Sequence, residues 1–141
     1  MKLKLLALGA LLLTLPALAQ KPYTIRVAPL VSNHPMEQDM ADVMTAKIIA
    51  HLTAAGVSVV EGESDTETDA VLKVSYVTRS NESSHVIRIE GPVRLTDIGG
   101  KVIWADEVRS RLFTRNPSSD FAENVALKVE AFLAHHQVRP E

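Results

Sequence analysis

Apolar residues alternate with polar ones, then recur every three or four positions, then alternate again, and these changes of period lay out the chain. Over 23–30, Ile25 and Val27 alternate with Thr24 and Arg26 until Pro29 ends regular pairing, which predicts a first strand. From Pro35 to Ala55 the apolar positions Met36, Met40, Val43, Met44, Ile48 and Leu52 keep helical spacing. Pro35 suits a first helical turn, Glu37 and Asp39 suit its positive end, and Gly56 stops the helix. Val57 to Val60 is a short second strand. Strand, helix and strand in succession predict a right-handed parallel crossover.

Alternation returns at Ala70 to Arg79, with Leu72, Val74 and Tyr76 on one side and Lys73, Ser75 and Arg79 on the other. His85 to Thr96 repeats it, Ile87, Ile89, Val93 and Leu95 inward, with a bulge or kink expected at Gly91-Pro92. Asp97-Ile98-Gly99-Gly100 reads as a hairpin turn, and Val102 to Phe113 as the returning strand. Pairing Leu95 with Val102 and Val93 with Trp104 collects the large apolar groups on one face. That register sets Glu90 opposite Glu107 and Arg88 opposite Arg109, so diagonal Arg–Glu pairs or a bulge-induced shift must relieve the like charges. Asn116-Pro117-Ser118-Ser119-Asp120 is a helix start, and Phe121, Val125, Val129, Phe132 and Leu133 form the buried face of a helix to about His136. The order β-α-β-β-β-β-α predicts an α/β fold of the α+β two-layer sandwich type: a five-stranded mixed sheet with both helices on one face. The expected strand order is 57–60, 23–30, 70–79, 85–96, 102–113.

The first nineteen residues state an address. Lys2 and Lys4 precede the apolar run Leu5 to Leu15, and Ala17-Leu18-Ala19 has the small-x-small pattern of a signal peptidase site, so residues 1–19 read as a cleaved signal peptide and 20–141 as one domain. The apolar run is about half of the roughly 20 residues a membrane-spanning helix needs, so no membrane anchor is expected after cleavage. The chain has no cysteine, which removes thiol catalysis, thiolate metal sites, disulfides and the lipidated cysteine of tethered bacterial envelope proteins. The expected location is periplasmic or secreted. Acidic side chains number 17 against 15 basic ones, two of them in the leader, and neither sign forms a block, so a nucleic-acid footprint is not expected.

Candidate chemistry is sparse. Glu61, Glu63, Asp65, Glu67 and Asp69 alternate, and a curled loop could gather three of them around a calcium ion, with Glu63, Asp65, Glu67 and Asp69 the candidates. The glycine and terminal glutamate of a calcium loop are missing, so a solvated linker of mutually repelling carboxylates is the simpler reading. His135-His136 point about 100° apart on a helix and cannot easily share one ion, whereas a helix C-terminus suits partly protonated imidazoles. His51 is expected at the margin of the first helix's buried stripe. Met36, Met40 and Met44 share the period of Ile48 and Leu52, which makes them core rather than a binding stripe. Ser80, Ser83 and Ser84 lie near His85 without a Gly-x-Ser-x-Gly elbow, so hydrolase chemistry has no motif and the chain reads as no enzyme. No cofactor is expected.

The outward sheet face carries more information than any single residue. It is expected to hold Lys73, Arg88, Glu90, Arg94, Glu107, Arg109 and Arg111, together with Val71, Val77, Val86, Ile103 and Phe113, more apolar than water alone requires. Arg88, Arg109, Arg111, Ile103 and Phe113 are the candidate partner-binding residues. The runs Ala70-Val71-Leu72-Lys73-Val74 and Val93-Arg94-Leu95-Thr96-Asp97-Ile98-Gly99-Gly100-Lys101-Val102-Ile103-Trp104 resemble the small α/β domain of bacterial envelope proteins, similar to the TolB amino-terminal domain and the CsgG-type curli secretion family. In those families a strand ending in Asp, a glycine turn and a returning Val-x-Trp strand recur. The resemblance implies an envelope adaptor or assembly component without catalytic residues. An exported module that binds an envelope protein through its sheet face or edge, with oligomers possible, is therefore expected. A periplasmic carrier of a small ligand or calcium through residues 61–69 is the alternative.

Overall fold

The computed structural model of the protein describes residues 23–32, 38–61, 68–83 and 85–136. The leader, Met36, Glu63, Asp65 and Glu67 lie outside the described residues. Eight elements follow one another: β1 (Thr24–Val27), β2 (Val31–Ser32), α1 (Gln38–Ala54), β3 (Ser58–Glu61), β4 (Ala70–Ser80), β5 (Val86–Asp97), β6 (Val102–Arg109) and α2 (Pro117–His136). The sheet runs β3-β1-β4-β5-β6, the order expected from the crossover and the hairpins, with β1 parallel to β3 and β4 and the rest antiparallel. Pro29 breaks the first strand, as its missing N–H requires, and the chain rejoins β4 as β2, pairing Val31 with Ser75 and Ser32 with Tyr76. Leu30 N–H bridges the break by donating to Thr45 Oγ1 of α1 (3.1 Å).

Both helices lie on one side, α1 along α2, with α1 reaching β3 and α2 reaching β5 and β6. Ile25, Leu72, Ile89, Val93 and Leu95 of the sheet meet Met44, Ile48, Leu52, Phe121, Val125 and Val129 of the helices at no solvent exposure. Each such side chain contributes roughly 1.5–3 kcal/mol relative to exposure. Tyr76 tilts against Phe121 with ring centroids 6.2 Å apart, and Trp104 stacks on Phe132 at 5.5 Å. Methionine serves the core as its period implied: Met44 is buried and Met40 packs against the cluster. Val43 is exposed, and Ala41 takes the buried position instead. His51 is exposed on the last turn of α1 rather than at the margin of the buried stripe.

The helix ends follow their sequence signals. Asn116 Oδ1 accepts the Ser119 N–H (3.2 Å) as an N-cap, with Pro117 first in α2, and Gly56 ends α1 at φ 89°. Asn81 closes the β4–β5 turn by accepting the N–H groups of Ser83 and His85 at 3.0 Å, a structural task that accounts for the loop beside His85.

Register brings the corrections. Leu95 pairs with Trp104, not Val102, and Val93 with Asp106, because a shift between Leu95 and Thr96 moves β6 along β5. Glu90 consequently faces Arg109 instead of Glu107, which removes the like-charge pairing. No bulge falls at Gly91-Pro92: Val74 with Val93 and Val77 with Glu90 keep one offset, and the other shift in β4–β5 lies at Arg79/Ser80. Gly91 is required for another reason. A Cβ there would sit 2.0 Å from the carbonyl oxygen of Ser75 and 2.7 Å from the Cα of Tyr76, so the strands would have to part to admit any side chain.

Candidate functional site

Alternation decides what the outward face presents. Ile25 and Val27 point into the core, so Arg26 points out; the same rule places Lys73, Arg79, Arg88, Arg94 and Arg109 there. Among the described residues of β5 and β6, Glu90 and Glu107 stand against them. A chain whose formal net charge is −2 thus gathers a cationic sheet face. Glu90 is held by Arg79 and, at 3.5 Å, by Arg109, and the hydrogen bond from Arg79 keeps its carboxyl below the usual carboxylate range, aided by the charges of Arg79, Arg109 and Arg88. Arg88 Nε is buried and has no hydrogen-bond partner among the described residues.

Where Pro92 lacks an N–H to offer β4, the ladder opens between the pairs Val74–Val93 and Val77–Glu90. A shallow depression of about 400 Å³ lies there, lined by Ser75, Val77, Glu90, Pro92, Glu107 and Arg109, with Gly91 and Tyr76 completing the lining. It mixes both signs of charge, which suits a polar protein surface better than a small apolar ligand.

Of the two edge strands, β3 and β6, the latter is less available than the face. Ser110 N–H donates to Ile89 O (2.7 Å), so the backbone groups of Glu107 and Arg109, odd in number, turn away from β5. Two of these are already engaged: Asp106 Oδ1 accepts the Glu107 N–H (2.7 Å), and Asn124 Nδ2 donates to the Arg109 carbonyl (2.9 Å). Asp106 also accepts from Lys128 Nζ of α2 at 2.9 Å, and these two donors hold its carboxyl below its ordinary range. The lower half of β6 is therefore guarded against strand addition.

Four of the five candidate partner residues, Arg88, Arg109, Arg111 and Phe113, lie at one end of the sheet, and Ile103 lies toward the other end of β6. Arg109 and half-exposed Ile103 lie on β6, and Arg88 is half-buried on β5. Arg111 and Phe113 leave the sheet, because β6 ends at Arg109 rather than running to Phe113. Asp120, buried at the start of α2, captures the Arg111 N–H and its guanidinium, the latter at 3.1 Å, which interrupts the ladder before Phe113 N–H meets Ile87 O of β5. Val71, expected outside, is only 8% exposed, and Val86 packs against the core. Of the acidic series, Asp69 is described, and its carboxylate accepts the Thr24 N–H at 2.7 Å, tying the β3–β4 connection to β1. Tyr23 nearby has its phenol pushed up, first by burial and then by Asp69 and Asp97. Among the described residues no three metal-ligating side chains converge. Nor is any helix among them long and apolar enough to cross a membrane.

Sequence alone cannot reveal the Arg26 contribution to the face or the guarded edge, since both depend on pairing between distant strands. The alternation of Arg79, Arg88 and Arg94 with core residues was the available signal.

No family model matches the chain, and no curated protein matches it. Solved structures share its fold. A PelC dodecamer from Paraburkholderia phytofirmans superposes with a TM-score of 0.59 at 15% identity, over 77% of this chain and 85% of that one. A hypothetical protein from Chlamydia trachomatis gives 0.56 at 11% identity, over 80% and 99%. A Xanthomonas campestris protein of the DUF330 family gives 0.52 at 12% identity, over 84% and 87%. The likeness is to small α/β domains of bacterial proteins, and at these identities it is one of fold.

Proposed function

We propose that the chain is an exported, non-enzymatic envelope protein that acts as an adaptor or assembly module, binding an acidic protein surface through the outward face of its sheet. The observation that carries the reading is the gathering of Arg26, Lys73, Arg79, Arg88, Arg94 and Arg109 on that face of an acidic chain. The guarded lower half of β6 favours the face over that edge strand. The leader pattern of residues 1–19 supports export. The TolB-like and CsgG-like run from Val93 to Trp104 supports an adaptor role, and the dodecameric state of PelC makes a second copy of the chain one candidate partner.

The test is crosslinked capture from envelope extract with residues 20–141, beside an Arg94→Glu/Arg109→Glu variant whose circular dichroism matches the wild type. The expected result is a defined partner held by the wild type, released by raised salt and absent from the variant. An identical capture profile for both proteins would sink the proposal. Sedimentation of the purified protein separates self-assembly from a different partner.

A further inference from the structure

At one end of the sheet the chain places an aromatic ring where backbone geometry asks for glycine. Phe113 has φ 58°, in the left-handed region that bulky side chains avoid. Its ring does not fill the core: Phe113 is 70% exposed and Leu112, beside it in the same turn, 49%. The surroundings impose the conformation. Phe113 N–H donates to Ile87 O at 3.0 Å, and Arg111 is fixed on Asp120 through both backbone and guanidinium. Strain held in place by several bonds, with the strained side chain turned to solvent, points to a use for that side chain.

The charges around it give the use. Arg79 pairs with Arg88 across the ends of β4 and β5, and Arg109, Arg111 and Arg115 flank the turn. The carboxylates at this end are occupied, Glu90 by Arg79 and Arg109, Asp120 by Arg111, leaving Glu82 exposed in the neighbouring turn. The opposite end carries Asp69 and Asp97. We propose that this arginine end docks peripherally on an anionic lipid bilayer, with Leu112 and Phe113 entering the interfacial layer and the guanidinium groups meeting lipid phosphates. An exposed apolar tip flanked by arginines fits a planar anionic interface, whereas a protein groove would be matched by a continuous apolar ridge. The docking shares Arg79, Arg88 and Arg109 with the sheet face, and Leu112, Phe113 and Arg115, which lie beyond β6, are the positions that test it apart from partner binding.

The absence of cysteine makes a direct test simple. Residues 20–141 contain every described element, and the core is formed within Ile25–Phe132. Phe113→Cys and, at the opposite hairpin, Ile98→Cys (81% exposed in the native chain) are labelled with a polarity-sensitive thiol dye. They are mixed with vesicles of phosphatidylcholine and phosphatidylglycerol at 7:3, or of phosphatidylcholine alone. The expected result is a blue shift at position 113 with the anionic vesicles only, reversed by high salt, and no shift at position 98. In co-sedimentation of unlabelled protein, Phe113→Asn, which keeps a residue tolerant of positive φ, weakens binding about tenfold. Arg115→Gln weakens it about fivefold. Equal shifts at both positions, equal binding of Phe113→Asn and wild type, or capture by soluble polyglutamate without vesicle binding would each overturn the proposal, the last in favour of an acidic protein ligand.

Discussion

Two turns bracket β6 and solve the same problem with opposite chemistry. At residues 97–100, Asp97 Oδ1 accepts the N–H groups of Gly99 and Lys101, both at 2.9 Å, and Gly100 supplies the positive φ of 89°. Asp97, Gly99 and Gly100 are residues a tight reversal selects. At residues 110–116 the chain contains no glycine, and the positive φ falls on Phe113. Asp120, from the start of α2, does from a distance what Asp97 does locally, by capturing the Arg111 backbone. Ile98 is exposed in the first turn too, with Arg94 and Lys101 within four residues of it, against Arg109, Arg111 and Arg115 within four of Phe113. A turn built only to reverse the chain uses glycine; a turn that keeps an aromatic at a backbone cost of order 1–3 kcal/mol is also presenting that aromatic.

The comparison breaks most readily at its anchor. Asp120→Ala leaves the Arg111 N–H and guanidinium without their acceptor, and hydrogen bonds to a charged group of this kind are worth about 1.5–3 kcal/mol. Thermal unfolding should shift down by about 10 °C on the usual size scaling, and backbone amide exchange should rise through 110–116 while 97–100 keeps its protection. Retained protection in the second turn would show that Phe113 holds its conformation without Asp120. Next in size is Gly100→Val, which puts a β-branched residue at φ 89° and should cost about 1–3 kcal/mol in chemical denaturation. Vesicle binding should be unchanged, because that turn lies at the other end of the sheet.

The same contrast explains what could be read from the sequence. The first turn was legible because its signal is local: Asp, two glycines and the return of alternation. Strand order was legible as well, since a crossover helix and short hairpins leave few alternatives. The end of β6 was not legible, because Leu112 and Phe113 continue the alternation of the strand and the residue that stops it, Asp120, belongs to the next helix. The β5–β6 register failed for a similar reason. Trp104 must lie level with Leu95 to stack on Phe132, and the chain inserts a shift beside Thr96 to place it there. Gly91-Pro92 read as a bulge or a kink, yet the role of Gly91 is the close approach of the Ser75 carbonyl from β4, a contact that only pairing reveals. The cationic face was half legible: the arginines alternate visibly along β4 and β5, but Arg26 joins them only through the parallel pairing of β1 with β4.

A smaller effect sharpens the picture of the arginine end. Glu90 and Asp106 have carboxyl groups held below their ordinary range in the folded protein. The stability they contribute is present above the normal carboxylate pKa of about 4 and is lost as pH falls through the lower folded values. Glu90→Gln should lower stability at pH 7 by under about 1 kcal/mol, since Arg79 and Arg109 are exposed, and should flatten the decline between pH 5 and pH 2. Parallel melting curves for both proteins across that range would show that the Arg79–Glu90–Arg109 group adds nothing to the fold.

The smallest change in stability belongs to the most telling substitution. Phe113→Gly removes a side chain that is mostly in water and relieves the strained φ, a gain of about 1 kcal/mol set against a similar loss from the greater freedom of glycine in the unfolded chain. The net should be a few tenths of a kcal/mol, which makes the second turn chemically like the first. If the turn served only to reverse the chain, nothing else would change. If Phe113 is kept for an interface, the Phe113→Gly protein melts with the wild type yet loses about tenfold in its partition to anionic vesicles. A substitution silent in unfolding and large in binding would assign the strain at position 113 to recognition rather than to folding.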